Sequence, residues 1–217
     1  MLPLYYMVTK LAEEKESKIR ESMKMMGLGD HSYYKAWFLF NGFIGLIIST
    51  TIQLILTTDV FWMSDWLVVF AMSFIYSLNI FGISFTLTSL IPNKKGSATA
   101  ASIVHLASFC FNYSYKGYGT SFFEKAFIAC IMPNCAVGFM IDHLLHCEIE
   151  GGTGLTLETA FMSYQNFSYA AALGCQVVNI AFWAVIGIYL DKIMPRDFGK
   201  AEPWNFICKR KKPNKVF

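Results

Sequence analysis

The chain has 217 residues, 55% of them hydrophobic and 15% charged, with mean hydropathy +0.42 and a net charge of +3. A soluble domain carries about 25% charged residues, so this composition excludes a soluble enzyme, a disordered chain and a secreted disulfide scaffold. Asp, Glu, Lys and Arg are absent from 36–58, 66–93, 96–115, 126–141 and 159–190. All but the fourth stretch reach the ~20 residues that a helix needs to cross a bilayer core. The ~10-residue alternating segments of a membrane β-barrel are not the pattern seen.

In chain order, residues 1–7 read as the end of a hydrophobic element that begins upstream. They lack the basic n-region of a secretory signal. Residues 9–26 are expected to form a charged amphipathic helix that Thr9 can cap. Glu14–Lys18 and Glu16–Arg20 stand at i,i+4 in the favourable order. Val8, Leu11, Ile19, Met23 and Met26 give it a partial apolar stripe, and Gly27 and Gly29 end it. Such a helix either lies along a membrane surface or docks a partner, and its physics alone favours neither.

Four full spans are expected, at 36–57, 66–91, 97–115 and 169–190. Six Lys or Arg fall in the first 35 residues, eight from Lys192 onward, and Lys94 and Lys95 at the second junction. The 59–65 junction and the 147–168 segment carry acids and no base. The positive-inside rule then puts both termini and the 92–96 turn in the cytoplasm. Four crossings satisfy that placement and five do not. Residues 121–146 are therefore read as a re-entrant helical hairpin on the external side, broken at Pro133-Asn134, because Pro removes a donor and interrupts a helix. Each arm would be about 18 Å long and reach about half-way through the bilayer. A broken backbone at that depth survives only against protein or a wet cavity.

The chemistry-bearing motifs are sparse. No G-x-x-x-x-G-K-[ST] is present to cradle a phosphate, so ATP hydrolysis by this chain alone is not expected. Gly151 to Gly154 reads as a turn. Asp142, His143, His146 and Cys147 are clustered, but a metal needs three or four converging ligands, and an interfacial polar cluster is the better reading. His105 and Gln53 are single polar groups within spans, expected mostly to bond neighbouring helices. The six cysteines imply no framework, although an external bond through Cys147 is open. Asn166-Phe-Ser168 is a glycosylation sequon on the external side. Gly96/Ala100, Ala98/Ser102 and Ala170/Gly174 make small-residue faces suited to close helix packing. Trp37, Trp62, Trp66 and Tyr115 fall near the expected interfaces. The basic run 209–212 follows a span, which argues against nucleic acid and fits anionic lipid or a stop-transfer flank.

Several motifs together resemble a known family. Residues 11–16, Leu-Ala-Glu-Glu-Lys-Glu, and 18–28, Lys-Ile-Arg-Glu-Ser-Met-Lys-Met-Met-Gly-Leu, are similar to the coupling helix of ABC transporters of the A subfamily. Tyr34 to Phe38 resembles that family's W-x-x-W-F, with Tyr34 in place of the first Trp. Ser84 to Ser89 resembles its F-S-F…S-T span end. The segment 148–155 resembles its E-x-x-G-x-G, with Leu157 where Trp is frequent. Pro195 to Phe206 resembles its P-G-x-x-G-x-x-x-P-W-x-F, with Arg196 replacing the first Gly.

The resemblance implies an all-α transmembrane domain of the type-2 exporter class, covering 1–217. Residues 1–7 would end a preceding span. Residues 8–29 would be the cytoplasmic coupling helix, with Glu14, Lys15 and Glu16 meeting a nucleotide-binding domain in cis or trans. Residues 191–217 would lead toward that domain. ATP and Mg would be bound there and not by this chain. A second transmembrane half and membrane lipids would be the other partners, at the plasma membrane or an endolysosomal membrane. A non-transporting scaffold or channel subunit is the rival reading, and a membrane enzyme a weaker one.

Overall fold

The computed structural model describes residues 2–91, 93–149, 154–194 and 204. Among these residues eight helices follow in order: α1 Leu2–Glu16, α2 Ile19–Met25, α3 Asp30–Asp59, α4 Trp66–Leu90, α5 Lys94–Ser114, α6 Phe122–Ile131, α7 Pro133–Ile149 and α8 Tyr169–Ile193. A single 3₁₀ turn, Thr159–Phe161, and a two-residue hairpin, β1 Ser163–Tyr164 with β2 Phe167–Ser168, lie between α7 and α8. Gln165 and Asn166 close that hairpin with φ of 51° and 63°, the pair of positive values that a twisted two-residue turn requires.

Among the described residues, three helices are long and apolar enough to cross a membrane: Asp30–Leu56, Trp66–Leu90 and Tyr169–Ile193. Their outward faces are apolar, with Leu39, Phe43, Ile47 and Leu54 on α3 and Val177, Val178 and Val185 on α8 all exposed. Their inward faces hold amides: Asn41, Asn79, Gln176 and Asn179 are buried. This inversion is what a hydrocarbon solvent selects, because apolar groups lose nothing there and amides must find partners inside. The chain is a multi-pass membrane protein. Helix α5 spans 21 residues, about 32 Å, and is long enough to cross. It falls short in apolarity, with Lys94, Lys95, His105 and several small polar residues in its length.

Helix α4 is the axis of the bundle. It packs along α8 and α3 and against α1 and α5. Its hydroxyls at Ser73, Ser77, Ser84, Thr86, Thr88 and Ser89 donate to carbonyls three or four residues back, which lets a polar sequence sit in an apolar bundle. The helix backbones come close where α4 crosses α8. A Cβ added at Gly82 would stand 2.6 Å from the Trp183 carbonyl carbon, and one at Gly187 2.9 Å from the Phe85 Cβ. Gly174, in the small-residue face expected on α8, meets nothing within 4 Å. Ala98 and Ala101 of α5 are buried, whereas Ile103, Val104 and Leu106 are exposed. The second half of α5 packs on α7 through His105, Ser108 and the buried Asn112, and is otherwise largely exposed.

Two apolar cores result. One joins Leu4, Met7, Val8 and Leu11 of α1 to Tyr33, Tyr34, Ile80, Phe81 and Phe85. The other joins α6 and α7 to Val68, Val69 and Met72 of α4 and Tyr169, Ala172 and Cys175 of α8, with Leu155 and Phe167 closing over it.

Candidate functional site: the α1–α2 corner

The sequence suggests one helix over 9–26 after a separate apolar end. The structure draws the boundaries elsewhere. Helix α1 runs unbroken from Leu2 to Glu16, with Leu4, Met7, Val8, Leu11 and Ala12 buried on one face. The apolar residues 1–7 and the charged run are thus one element. Thr9 lies inside it, its hydroxyl donating to the Tyr5 carbonyl at 2.7 Å, and does not cap. The break comes at Lys18, which has φ 58° and ψ 20°. A left-handed lysine costs roughly 1–2 kcal/mol against the right-handed form. Glycine carries no such penalty, so Lys18→Gly is expected to keep the corner and raise stability by up to about 1 kcal/mol, read as a higher melting temperature in detergent. A lower one would mean that the Lys18 side chain itself holds the corner. Helix α2 then ends at Met26 and Gly27, whose φ is 94°.

This corner turns the charged residues inward. Glu14 accepts from the Tyr33 hydroxyl at 2.8 Å and the Trp37 indole at 3.2 Å, both on α3. The Lys15 ammonium donates to the Thr88 carbonyl and lies 3.1 Å from the Asp191 carboxylate. Glu16 accepts from the Lys94 backbone N–H at 2.6 Å, satisfying one of the orphan donors at the start of α5. Glu13 bridges Lys10 and Lys94. The three residues expected to face a partner therefore tie α1 to α3, α4, α5 and α8.

Arg20 is the centre of the site. Its guanidinium is 2.6 Å from Asp191 and 3.2 Å from Asp30, donates to the Tyr34 hydroxyl, and lies 4.5 Å from the centre of the Tyr33 ring. The Tyr34 hydroxyl donates to Asp191 at 2.6 Å, and Lys24 holds Asp30 at 2.6 Å. The Arg20 and Asp191 side chains are 3% and 1% exposed. Burial works against the charge on Arg20, but the Asp191 carboxylate and the Tyr34 hydroxyl outweigh it and raise its pKa. The expected Glu16–Arg20 pairing gives way to this network, because the bend at Lys18 carries Arg20 beneath the bundle. At the end of α2 and in the turn after it, Met25, Met26 and Leu28 are exposed.

A second polar cluster surrounds the break between α6 and α7. Pro133 interrupts the helix there, and carbonyls around the break find partners across the bundle. Asn179 donates to Ala129, Trp183 to Ile131 and Gln176 to Pro133, at 2.6, 2.8 and 2.6 Å. Asn79 of α4 donates to Gln176 at 2.6 Å. Asn134 accepts from the Tyr76 hydroxyl and donates to the His105 carbonyl, with Ser108 also bonded. The break thus packs against the middle of α4 and α8. In a membrane such bonds contribute about 0.6–2 kcal/mol each. Asn179→Ala and Trp183→Phe are each expected to lower stability by about 1 kcal/mol in a detergent melt, and the double variant by about the sum.

The remaining candidates are dispersed. Asp142 meets Lys116 at 2.6 Å, His146 stacks on Tyr164 at 4.0 Å between centroids, and buried His143 lies edge-on to Tyr164 and Tyr169. Among the described residues no three His, Cys, Asp or Glu converge as metal ligands. Cys147 is a free thiol. The Asn166 amide donates to the Tyr118 and Thr120 carbonyls at 3.1 and 3.3 Å, so the nitrogen that a glycan would take is engaged in the fold. The segment 150–153, the basic run 209–212 and, apart from Trp204, the 195–206 motif lie outside the described residues.

The profile of the ABC-2 family transporter proteins matches residues 1–189. The chain belongs to that family. ABC transporter A family member 2 of Dictyostelium discoideum is 27% identical over 208 residues, 95% of this chain and 12% of the relative. ATP-binding cassette sub-family A member 13 of Homo sapiens is 25% identical over 95% of this chain and 4% of its own length. The human protein named Cholesterol transporter ABCA5 is 25% identical over 90% of this chain and 12% of its own. The chain therefore spans a small fraction of these relatives. The residues above therefore belong to an ABC-2 family membrane domain.

Proposed function

We propose that this chain forms the membrane path of an ATP-driven lipid exporter and receives the work of hydrolysis at the α1–α2 corner. The observation that carries the reading is the convergence of Glu14, Lys15, Glu16 and Arg20 on α3, α4, α5 and α8. A push on one short element is thereby shared among four long helices. The partner would seat on the exposed Met25, Met26 and Leu28, with Glu14, Lys15 and Glu16 passing the force inward. The partner is a nucleotide-binding domain holding ATP and Mg, with a second transmembrane half completing the path. The relative named a cholesterol transporter supports a lipid as cargo.

In this reading α3, α4, α5 and α8 all cross, both ends are cytoplasmic, and α6–α7 is a re-entrant pair. The contacts of the Pro133 break with mid-helix residues of α4 and α8 support that depth. The test is a transporter carrying this domain with Glu14→Lys and Glu16→Lys. ATP hydrolysis is expected to persist while lipid moved per ATP falls about tenfold or more, in protein whose melting curve shows it folded. Transport per ATP equal to the parent would remove these residues from the coupling role.

A further inference from the structure

The β1–β2 hairpin lies over α7 at His143, and that histidine is 3% exposed. Its Nε2–H donates to the Phe167 carbonyl of β2. Its Nδ1 has no hydrogen-bond partner among the described residues. A neutral imidazole is one donor and one acceptor, whereas a protonated one is two donors. The site offers an acceptor for the first hydrogen and none for a second. Tyr164 and Tyr169 stand edge-on to the imidazole at 6.0 and 6.4 Å, and the Tyr169 hydroxyl is engaged by the Val68 carbonyl at 2.8 Å.

The charges around this point are mostly cationic. His146, nearly one turn further along α7, stacks on Tyr164 at 4.0 Å. From α6, the Lys125 ammonium donates to the Gly117 and Gln165 carbonyls at 2.8 and 2.6 Å. From the loop between α5 and α6, Lys116 meets Asp142 at 2.6 Å. Asp142 precedes His143 by one position, about 100° round the helix. Glu148, at the end of α7, accepts from the Met63 N–H and the Ser64 hydroxyl. The neighbours from α4 and α8, Val68 and Tyr169, bring no charge.

The other edge of the hairpin is held without histidine. Gln165 accepts from the Gly117 N–H at 3.0 Å, and the Asn166 amide donates to the Tyr118 and Thr120 carbonyls. The hairpin is thus tied on one side to the 115–121 loop and on the other to His143.

We propose that the β1–β2 hairpin is a proton-released cover on α7, with His143 as the group that takes the proton. Protonation puts a hydrogen on Nδ1 where no acceptor stands, and a positive charge among Lys116, Lys125 and His146. Both are costly at a buried site. The contact with Phe167 gives way, and the hairpin swings on its bonds to the 115–121 loop. Burial, and then the neighbouring His146, push the imidazole below its ordinary 6.5. The hold is therefore complete above about pH 6.5 and is lost as pH falls from there through the folded value. The proton comes from the compartment that the end of α7 faces. The proposed orientation makes that the external side, but the chemistry does not depend on it.

The test is hydrogen exchange of the full chain in detergent at pH 7.5 and 5.0, corrected for intrinsic exchange rates. Both values lie above the ordinary carboxylate range, about 4. Amides of 163–169 are expected to open about tenfold more often at pH 5.0, the factor that one pH unit of linkage carries, while amides of 79–87 on α4 do not change. His143→Gln keeps a donor for Phe167 and takes no proton, so its hairpin is expected to open equally at both values. His146→Gln is expected to keep most of the response. Should His143→Gln fail to fold, the His143 ring resonance of the parent is expected to titrate below 6.5, with the midpoint of the hairpin exchange. Equal opening of the parent at the two values, a response that survives His143→Gln or vanishes in His146→Gln, an equal rise over 79–87, or a His143 midpoint at or above 6.5 would each overturn the proposal.

Discussion

Asp191→Ala is expected to destabilise the chain by about 3–5 kcal/mol, the cost of stranding a buried charge. The Asp191 side chain is 1% exposed and receives Arg20 at 2.6 Å, Tyr34 at 2.6 Å and Lys15 at 3.1 Å. Truncating it leaves two cations with little water to replace the lost carboxylate. Asp191→Asn keeps a hydrogen-bond acceptor for Tyr34 and is expected to fall between alanine and the parent. Replacing both partners, Arg20→Met with Asp191→Leu, removes the stranded charge on Arg20 and is expected to recover most of the loss, as buried pairs generally do when exchanged for apolar volume. The measurement is the melting temperature and denaturant midpoint in detergent. An alanine variant within about 1 kcal/mol of the parent would show that the network contributes little to the fold.

Gly82→Val is expected to cost about 3 kcal/mol or more, at or beyond the usual limit for overpacking. A Cβ at that position would lie 2.6 Å from the Trp183 carbonyl carbon and 2.7 Å from the Ala184 nitrogen. Both are backbone, so no rotamer change relieves the clash and the helices must part. Parting them strips the Asn79–Gln176 bond at 2.6 Å and the bonds from Gln176, Asn179 and Trp183 to the helix break. Gly174→Ala is the internal control. It meets open space on α8, the helix that Gly82 crosses, and gains helix propensity of up to about 1 kcal/mol. If Gly82→Val melts with Gly174→Ala, the close crossing of α4 and α8 is not what holds them.

The long elements were legible because charge-free length is a direct consequence of a hydrocarbon solvent. Expected spans at 66–91 and 169–190 correspond to Trp66–Leu90 and Tyr169–Ile193, and Pro133 announced its helix break. The corner was not legible. Nothing in Ser17-Lys18 predicts a left-handed residue, since neither glycine nor asparagine is present. Once the bend is there, pairings read from an unbroken helix no longer apply. Asp191 carried a signal that was passed over: it is the lone acid in the 25-residue α8, and an acid in an apolar helix asks for a partner. Gly82 was missed for a different reason. Its counterpart, Gly187, lies on another helix 105 positions away, so no spacing rule within one helix connects them.

Helix α8 has no proline between Tyr169 and Ile193, and its length is about 37 Å. One end holds Asp191 in the grip of Arg20 and Lys15, and its middle holds the α6–α7 break through Gln176, Asn179 and Trp183. It is a connecting rod with one bearing at its end and another at its middle. Under the proposed function, a displacement imposed on Arg20 would reach the tip of the α6–α7 pair through α8 without crossing a loop.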